Sequence, residues 1–168
     1  MFKKILLIAF LLLSNSVYAS YWGMDIRKTS LSDIKSIFMV EMNQDVHKAS
    51  NIIDLYSLEF KNKSSATNFL KKYKEIYVVI NKRTDKLEAI LLTVRDNYDL
   101  KIDSLLETKI FKQNNLKYKK SEDGGDVYYD DKMNVIVLHN DNSSIDGILI
   151  TSINGFFYLA LIADYIDI

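Results

Sequence analysis

The sequence predicts an α+β fold, a mostly antiparallel sheet with two main amphipathic helices and a short third one. Three observations carry that reading. Residues 76–80 and 87–94 are rich in apolar and β-branched side chains and are separated by the polar stretch 81–86, the pattern of a hairpin. Just beyond, Ile102, Leu105, Leu106, Lys109 and Ile110 recur at helical spacing, with Asp99 placed as an N-cap. Further short apolar runs at 135–138 and 148–153, each bounded by polar turns, extend the sheet. A helix lying on a hairpin lets two apolar faces cover each other.

In chain order, Lys3 and Lys4 precede an almost unbroken apolar run over 5–13, and Val17-Tyr18-Ala19 ends on a small residue suited to cleavage. This is the pattern of a signal peptide over 1–19, cut before Ser20. The run is far short of the roughly 20 residues that cross a bilayer. Residues 20–168 are then one compact domain with a half boundary near 95–99, long enough to bury about 70% of its extended surface. Trp22 is expected on the core. Ser30 and Asp33 form a capping box for a helix of about three turns carrying Leu31, Ile34, Ile37, Phe38 and Met42. Residues 43–51 read as a polar loop, and 52–60 as a strand with Ile53 and Leu55 on one side and Tyr56, Leu58 and Phe60 on the other. Ala66, Phe69, Leu70 and Tyr73 suggest the short third helix.

After the central hairpin and helix, residues 114–125 read as a hydrophilic link, with Gly124-Gly125 as a turn. Strands follow at 127–129, 135–138 and 148–153. Asn154-Gly155 is the strongest type I′ turn signal in the chain, leading into a last strand over 156–168. Laid side by side, the elements repeat: a helix near residue 31 with strands to 94, then a helix near residue 100 with strands to the end. The layout suggests a tandem duplication and resembles secreted inhibitors made of tandem helix-plus-sheet units, the β-lactamase inhibitory protein type. Those inhibitors carry disulfides; this chain has no cysteine.

The missing cysteine also removes disulfide stapling and lipidation on sulfur, so stability must come from packing. Once Lys3 and Lys4 leave with the leader, 20 basic face 22 acidic side chains. Neither lysine run, 71–74 nor 117–120, escapes neighbouring acids, which argues against nucleic acid as a partner. His47 and His139 are the only imidazoles. Neither has the companions of a metal site, and no Gly-x-Ser-x-Gly turn accompanies them. The acidic stretch 122–131 lacks the ligand order of a calcium loop, and its paired glycines are followed by aspartates that repel phosphate.

The expectation is an exported, non-catalytic protein-binding module without cofactor or metal. It is read as an inhibitor or immunity-type protein of the bacterial periplasm or exterior, with another protein as partner and no stable membrane insertion. Tyrosine pairs a rigid ring with a hydroxyl that suits interfaces, so the binding surface is expected at Tyr118, Asp126, Tyr128, Tyr129, Asp130 and Asp131. A structural or assembly accessory of the envelope is the second reading. A small hydrolase using His139 or paired carboxylates is the third.

Overall fold

The computed structural model describes residues 21–62, 64, 66–122, 125–130, 134–141, 144–160 and 162. The expected leader over 1–19 and the expected strand end at 163–168 lie outside them. The chain is mixed α+β with one eight-stranded, wholly antiparallel sheet. Its elements run α1 (Leu31–Ile37), β1 (Phe38–Met42), α2 (Gln44–Ala49), β2 (Ile53–Phe60), α3 (Thr67–Leu70), β3 (Tyr73–Asn81) and β4 (Lys86–Val94). They continue with α4 (Ile102–Leu106), α5 (Lys109–Gln113), β5 (Lys117–Glu122), β6 (Gly125–Tyr129), β7 (Val135–Asp141), β8 (Ser144–Thr151) and α6 (Ile153–Ala160). The strand order is β1-β2-β3-β4-β8-β7-β6-β5, two meanders mirrored about a β4–β8 ladder.

The hairpin β3–β4 forms where the alternation placed it. Its polar turn is held by Asn81, whose carboxamide oxygen accepts from the amides of Arg83 and Thr84, so an Asx turn shapes the loop. The capping box on α1 is also present, Ser30 Oγ accepting from the Asp33 amide while the Asp33 carboxylate accepts from the Ser30 amide. The helix, however, is shorter than its apolar spacing suggests. Phe38 and Met42 belong to β1, because the run over 38–42 finds a strand partner in β2.

Alternation along β2 sorts its side chains as expected. Tyr56, Leu58 and Phe60 join a large core with Ile76, Val78, Ile90, Leu92, Ile136, Leu138, Ile148 and Ile150. Ile34 of α1, Leu105 of α4, Phe111 of α5 and the arm residues Tyr21 and Met24 close that face. Ile53 and Leu55 point the other way, into a smaller core with Val79, Ala89 and Leu91, covered by Val46 of α2 and by Tyr158 and Leu159 of α6.

Further expectations are corrected in whole or in extent. The helix expected from Asp99 is two helices, broken where Thr108 Oγ1 and its amide both turn back to the Leu105 carbonyl, a side-chain bond that competes with the helical ladder. Asp99 caps nothing there; it accepts from Ser144 Oγ and pairs with Lys101. Within the polar loop 43–51 lies α2, started by Asn43, whose side chain accepts from the amides of Asp45 and Val46. The hydrophilic link contains β5, whose Lys117 and Lys119 are the usual guard on an exposed sheet edge. The short third helix is a single turn, α3, and Tyr73 belongs to β3.

Asn154-Gly155 makes no turn; both residues lie inside α6. Ser152 starts that helix, its hydroxyl accepting from the Gly155 amide at 2.8 Å and its carbonyl from the Phe156 amide at 3.0 Å. Glycine is needed at 155 for space: a Cβ would stand 2.3 Å from Thr151 Oγ1 and 2.7 Å from the Glu88 carbonyl oxygen. The turn with left-handed dihedrals at both central residues is at Trp22 (φ 55°) and Gly23 (φ 83°), closed by paired backbone bonds between Tyr21 and Met24. Trp22 accepts this conformation because its ring is fixed edge-on against Phe69, Tyr73 and Phe111.

Gly155→Ala is expected to destabilise the protein by about 1–3 kcal/mol in urea unfolding, through overpacking against β4 and β8. Asn154→Ala is expected to shift stability by less than about 0.5 kcal/mol, whereas an I′ turn would need Asn154.

Candidate functional site

The sheet's two faces are covered unequally, and strand register shows how. On the face carrying α2 and α6, one row of cross-strand neighbours runs Leu55, Val79, Ala89, Thr151, Val135, Tyr129, Lys117. Both helices sit at this end, α2 on β2 and α6 on β4 and β8. The next row runs Glu41, Ser57, Tyr77, Leu91, Leu149, Val137, Val127. Beyond it Thr93, Gly147 and His139 stand side by side, and Gly147 puts no side chain between its neighbours. A shallow apolar depression of ≈ 140 Å³ opens there, lined by Tyr77, Leu91, Val137, His139 and Leu149.

The helix that covers part of this face is apolar on its outside as well. Gly155, Tyr158 and Leu159 of α6 face the sheet, while Ile153, Phe156 and Phe157 are 43, 49 and 68% exposed. Their i, i+3, i+4 spacing makes one outward stripe. A helix apolar all round ordinarily has both sides covered. Its start is rigid: Ser152 Oγ donates to the buried Glu88 carboxylate at 2.7 Å, and Thr151 Oγ1 donates to the Glu88 carbonyl at 3.0 Å.

The surface expected from sequence does not converge. Tyr118 and Tyr128 pair across β5 and β6 with rings edge-on at 5.4 Å, on the face opposite α6; Tyr118 is 58% exposed and Tyr128 is buried. Asp126 shares their side of β6, whereas Tyr129, at an odd offset, faces the α6 side. Asp130 is interior, 2% exposed: it accepts from the Tyr21 hydroxyl at 2.9 Å and from the backbone and side-chain nitrogens of Asn134, each at 2.8 Å. Asp131 lies outside the described residues.

Both histidines are held by carboxylates. His47 Nδ1 is 2.7 Å from Asp54 Oδ1, and that carboxylate also pairs with Lys82 at 3.2 Å. His139 Nδ1 is 2.5 Å from Asp146, on the exposed rim of the depression. Neither imidazole bonds a hydroxyl among the described residues, so the geometry assembles no nucleophile–base pair around them. Among the described residues no group of three or more His, Cys, Asp or Glu side chains is arranged to hold a metal ion.

Register is a long-range property, so neither the rows nor the depression had a local signal. The α6 stripe did have one: Ser152 before Ile153, with the apolar run 156–163 following Asn154-Gly155, is compatible with a helix start. The chain matches no protein family, no characterised protein and no solved structure. Likeness to tandem helix-plus-sheet inhibitors therefore rests on layout alone. No helix among the described residues is long and apolar enough to cross a membrane.

Burial raises the Tyr21 phenol far above its ordinary value, with the Asp130 charge adding to it, and burial alone dominates the rise at Tyr73. A raised folded-state value means the native protein holds these protons after the unfolded chain has begun to lose them. The stabilisation is complete below about pH 10 and is lost as pH rises above it. In an alkaline spectrophotometric titration, tyrosinate absorbance from these two side chains is expected only together with loss of the far-UV spectrum. Tyr21→Phe, which leaves the buried Asp130 short of one donor, is expected to cost about 1–3 kcal/mol.

Proposed function

We propose that the protein is an exported, non-catalytic protein-binding module of the bacterial envelope, an inhibitor or immunity-type protein whose partner docks on the half-covered sheet face. The observation that carries this is the coincidence, on one side of the molecule, of a sheet face left half open and a covering helix whose own outer surface is Phe156, Phe157 and Ile153. Exposed apolar surface of this kind marks an interaction site. A lipid surface fits less well, because α6 has no charged residue within Ile153–Ala160, whereas membrane-surface helices carry a basic polar face. The leader over 1–19 supports export. The mirrored strand order supports reading the two halves as a tandem repeat of helix plus four-strand meander.

Tyr118, with Asp126 and Tyr128 beside it, is a second candidate contact, favoured by its exposure at the β5 edge. The two surfaces lie on opposite faces and are separable by mutation. Asp130 belongs to the interior, so its substitution tests folding rather than recognition.

Mass spectrometry of the protein recovered from the periplasm or medium is expected to show a chain beginning at Ser20. A chain retaining Met1 would contradict export by cleavage. In pull-downs from envelope extract, a specific partner is expected to be retained by Tyr118→Ala and lost from Phe156→Ser/Phe157→Ser at unchanged melting temperature. Equal recovery by the Ser variant would remove α6 from the interface. Loss with Tyr118→Ala alone would move the interface to the β5 edge, and integral co-purification with a membrane complex would favour the assembly-accessory reading.

A further inference from the structure

Two carboxylates converge on one tyrosine at the β5 edge. Asp126 and Tyr128 are two positions apart on β6, so both point to the face that carries α1, α4 and α5. Tyr118 stands directly opposite Tyr128 on β5, and Asp103 approaches from α4, whose Ile102, Leu105 and Leu106 pack on the same core. Burial first, then the electrostatic neighbours Asp126, Tyr118 and Asp103, hold the Tyr128 phenol above its ordinary value.

Neither carboxylate has a counter-ion. Lys101, the lysine nearest Asp103 in sequence, is held by Asp99 at 2.8 Å. Lys117 leaves toward the α6 side beside Tyr129, and Lys119 stands in the bulge between Tyr118 and Lys120. Among the described residues neither pairs with Asp103 or Asp126. Tyr128 is only 7% exposed, yet its hydroxyl bonds no protein group among the described residues and is not sealed from solvent. The Tyr118 ring, edge-on to Tyr128, leaves most of its own surface in water.

Anionic side chains without a counter-ion beside an exposed aromatic face attract a cation, because the ring's negative face and the carboxylates pull in the same direction. A bare divalent ion is poorly matched. Two carboxylates supply few of the oxygens calcium takes, and no third His, Cys, Asp or Glu is placed with them among the described residues. A guanidinium matches better: it is planar, stacks on an aromatic face and presents five donors, enough for two carboxylates and a hydroxyl. An ammonium is a compact point charge without that planar fork.

We infer that this corner binds the guanidinium group of an arginine side chain presented by the partner protein, stacked on Tyr118 and hydrogen-bonded to Asp126, Asp103 and the Tyr128 hydroxyl. This rests on the protein-binding reading above and gives the chemistry of its second contact. A single side chain adds less than the α6 surface does, so partner recovery survives Tyr118→Ala and the corner needs a probe of its own.

That probe is N-acetyl-arginine methylamide, titrated into isotope-labelled residues 20–168 and followed by amide chemical shifts, with the lysine and citrulline analogues as controls. Citrulline keeps the shape and removes the charge. Arginine is expected to give saturating shifts centred on Asp103, Tyr118, Asp126 and Tyr128, with roughly tenfold preference over citrulline and about threefold over lysine. Asp103→Asn/Asp126→Asn is expected to lose about tenfold in affinity and Tyr118→Leu about two- to fivefold, both with an unchanged far-UV spectrum. Absence of saturation, equal binding of citrulline or lysine, or unchanged affinity of the Asn variant would overturn the inference. If arginine fails while Phe156→Ser/Phe157→Ser still abolishes partner recovery, the guanidinium site falls and the protein-binding reading stands. Saturable arginine binding with no partner recovered from envelope extract would do the reverse.

Discussion

Everything in this fold is organised by the ladder between β4 and β8, from Ala89↔Thr151 to Thr93↔Gly147. Each half of the chain makes a four-strand meander, and each meander alone would end in an apolar strand with an unpaired edge. Joining the last strand of one to the last strand of the other removes both edges at once. It also puts β4 and β8 at the centre, which is why Leu87 to Leu92 are buried without alternation. Each fully buried large apolar side chain in this ladder contributes about 1.5–3 kcal/mol. With no cysteine in the chain, such burial replaces a cross-link.

That central join determines what each face can do. One face is covered over much of its area by α1, α4 and α5, and by an aromatic chain running Phe38, Phe60, Phe69, Trp22, Phe111 and Tyr21. It ties the N-terminal arm and both halves together. Among the described residues the other face receives only the short α2 and α6, both at the same end. Glu88 and Ser152 anchor α6 to the end of the central ladder, so its outward phenylalanines are presented on a rigid base. Strands β2 and β3 pair only as far as Ser57↔Tyr77, so the sheet is split on the uncovered side of the same surface. The proposed docking surface lies where the described covering elements end.

Much of the fold was legible because its signals are local. The β3–β4 hairpin, the Ser30–Asp33 box and the two-sided alternation of β2 depend on residues a few positions apart. Where the sequence misled, a longer-range partner decided. Phe38 carries helical spacing yet becomes strand because β2 lies beside it. Lys117 to Glu122 lack apolar alternation because an edge strand needs none. Asn154-Gly155 has I′ composition, but Ser152 nucleates a helix and Gly155 is required by Thr151 and Glu88. The candidate site was less legible still. Tyr118 and Tyr128 do meet, but the acid grouped with them, Asp130, is claimed by Tyr21, 109 positions away.

Amide hydrogen exchange on residues 20–168 distinguishes one continuous sheet, joined at β4–β8 and open at the β2–β3 end, from two separate halves. Slowest exchange is expected for Ile90, Leu91, Ile148 and Leu149, and exchange orders of magnitude faster for the inward-pointing amides of residues 58–60 and 74–76. Comparable protection at these residues and the centre, or two halves exchanging as independent units with an unprotected β4–β8 ladder, would contradict this architecture.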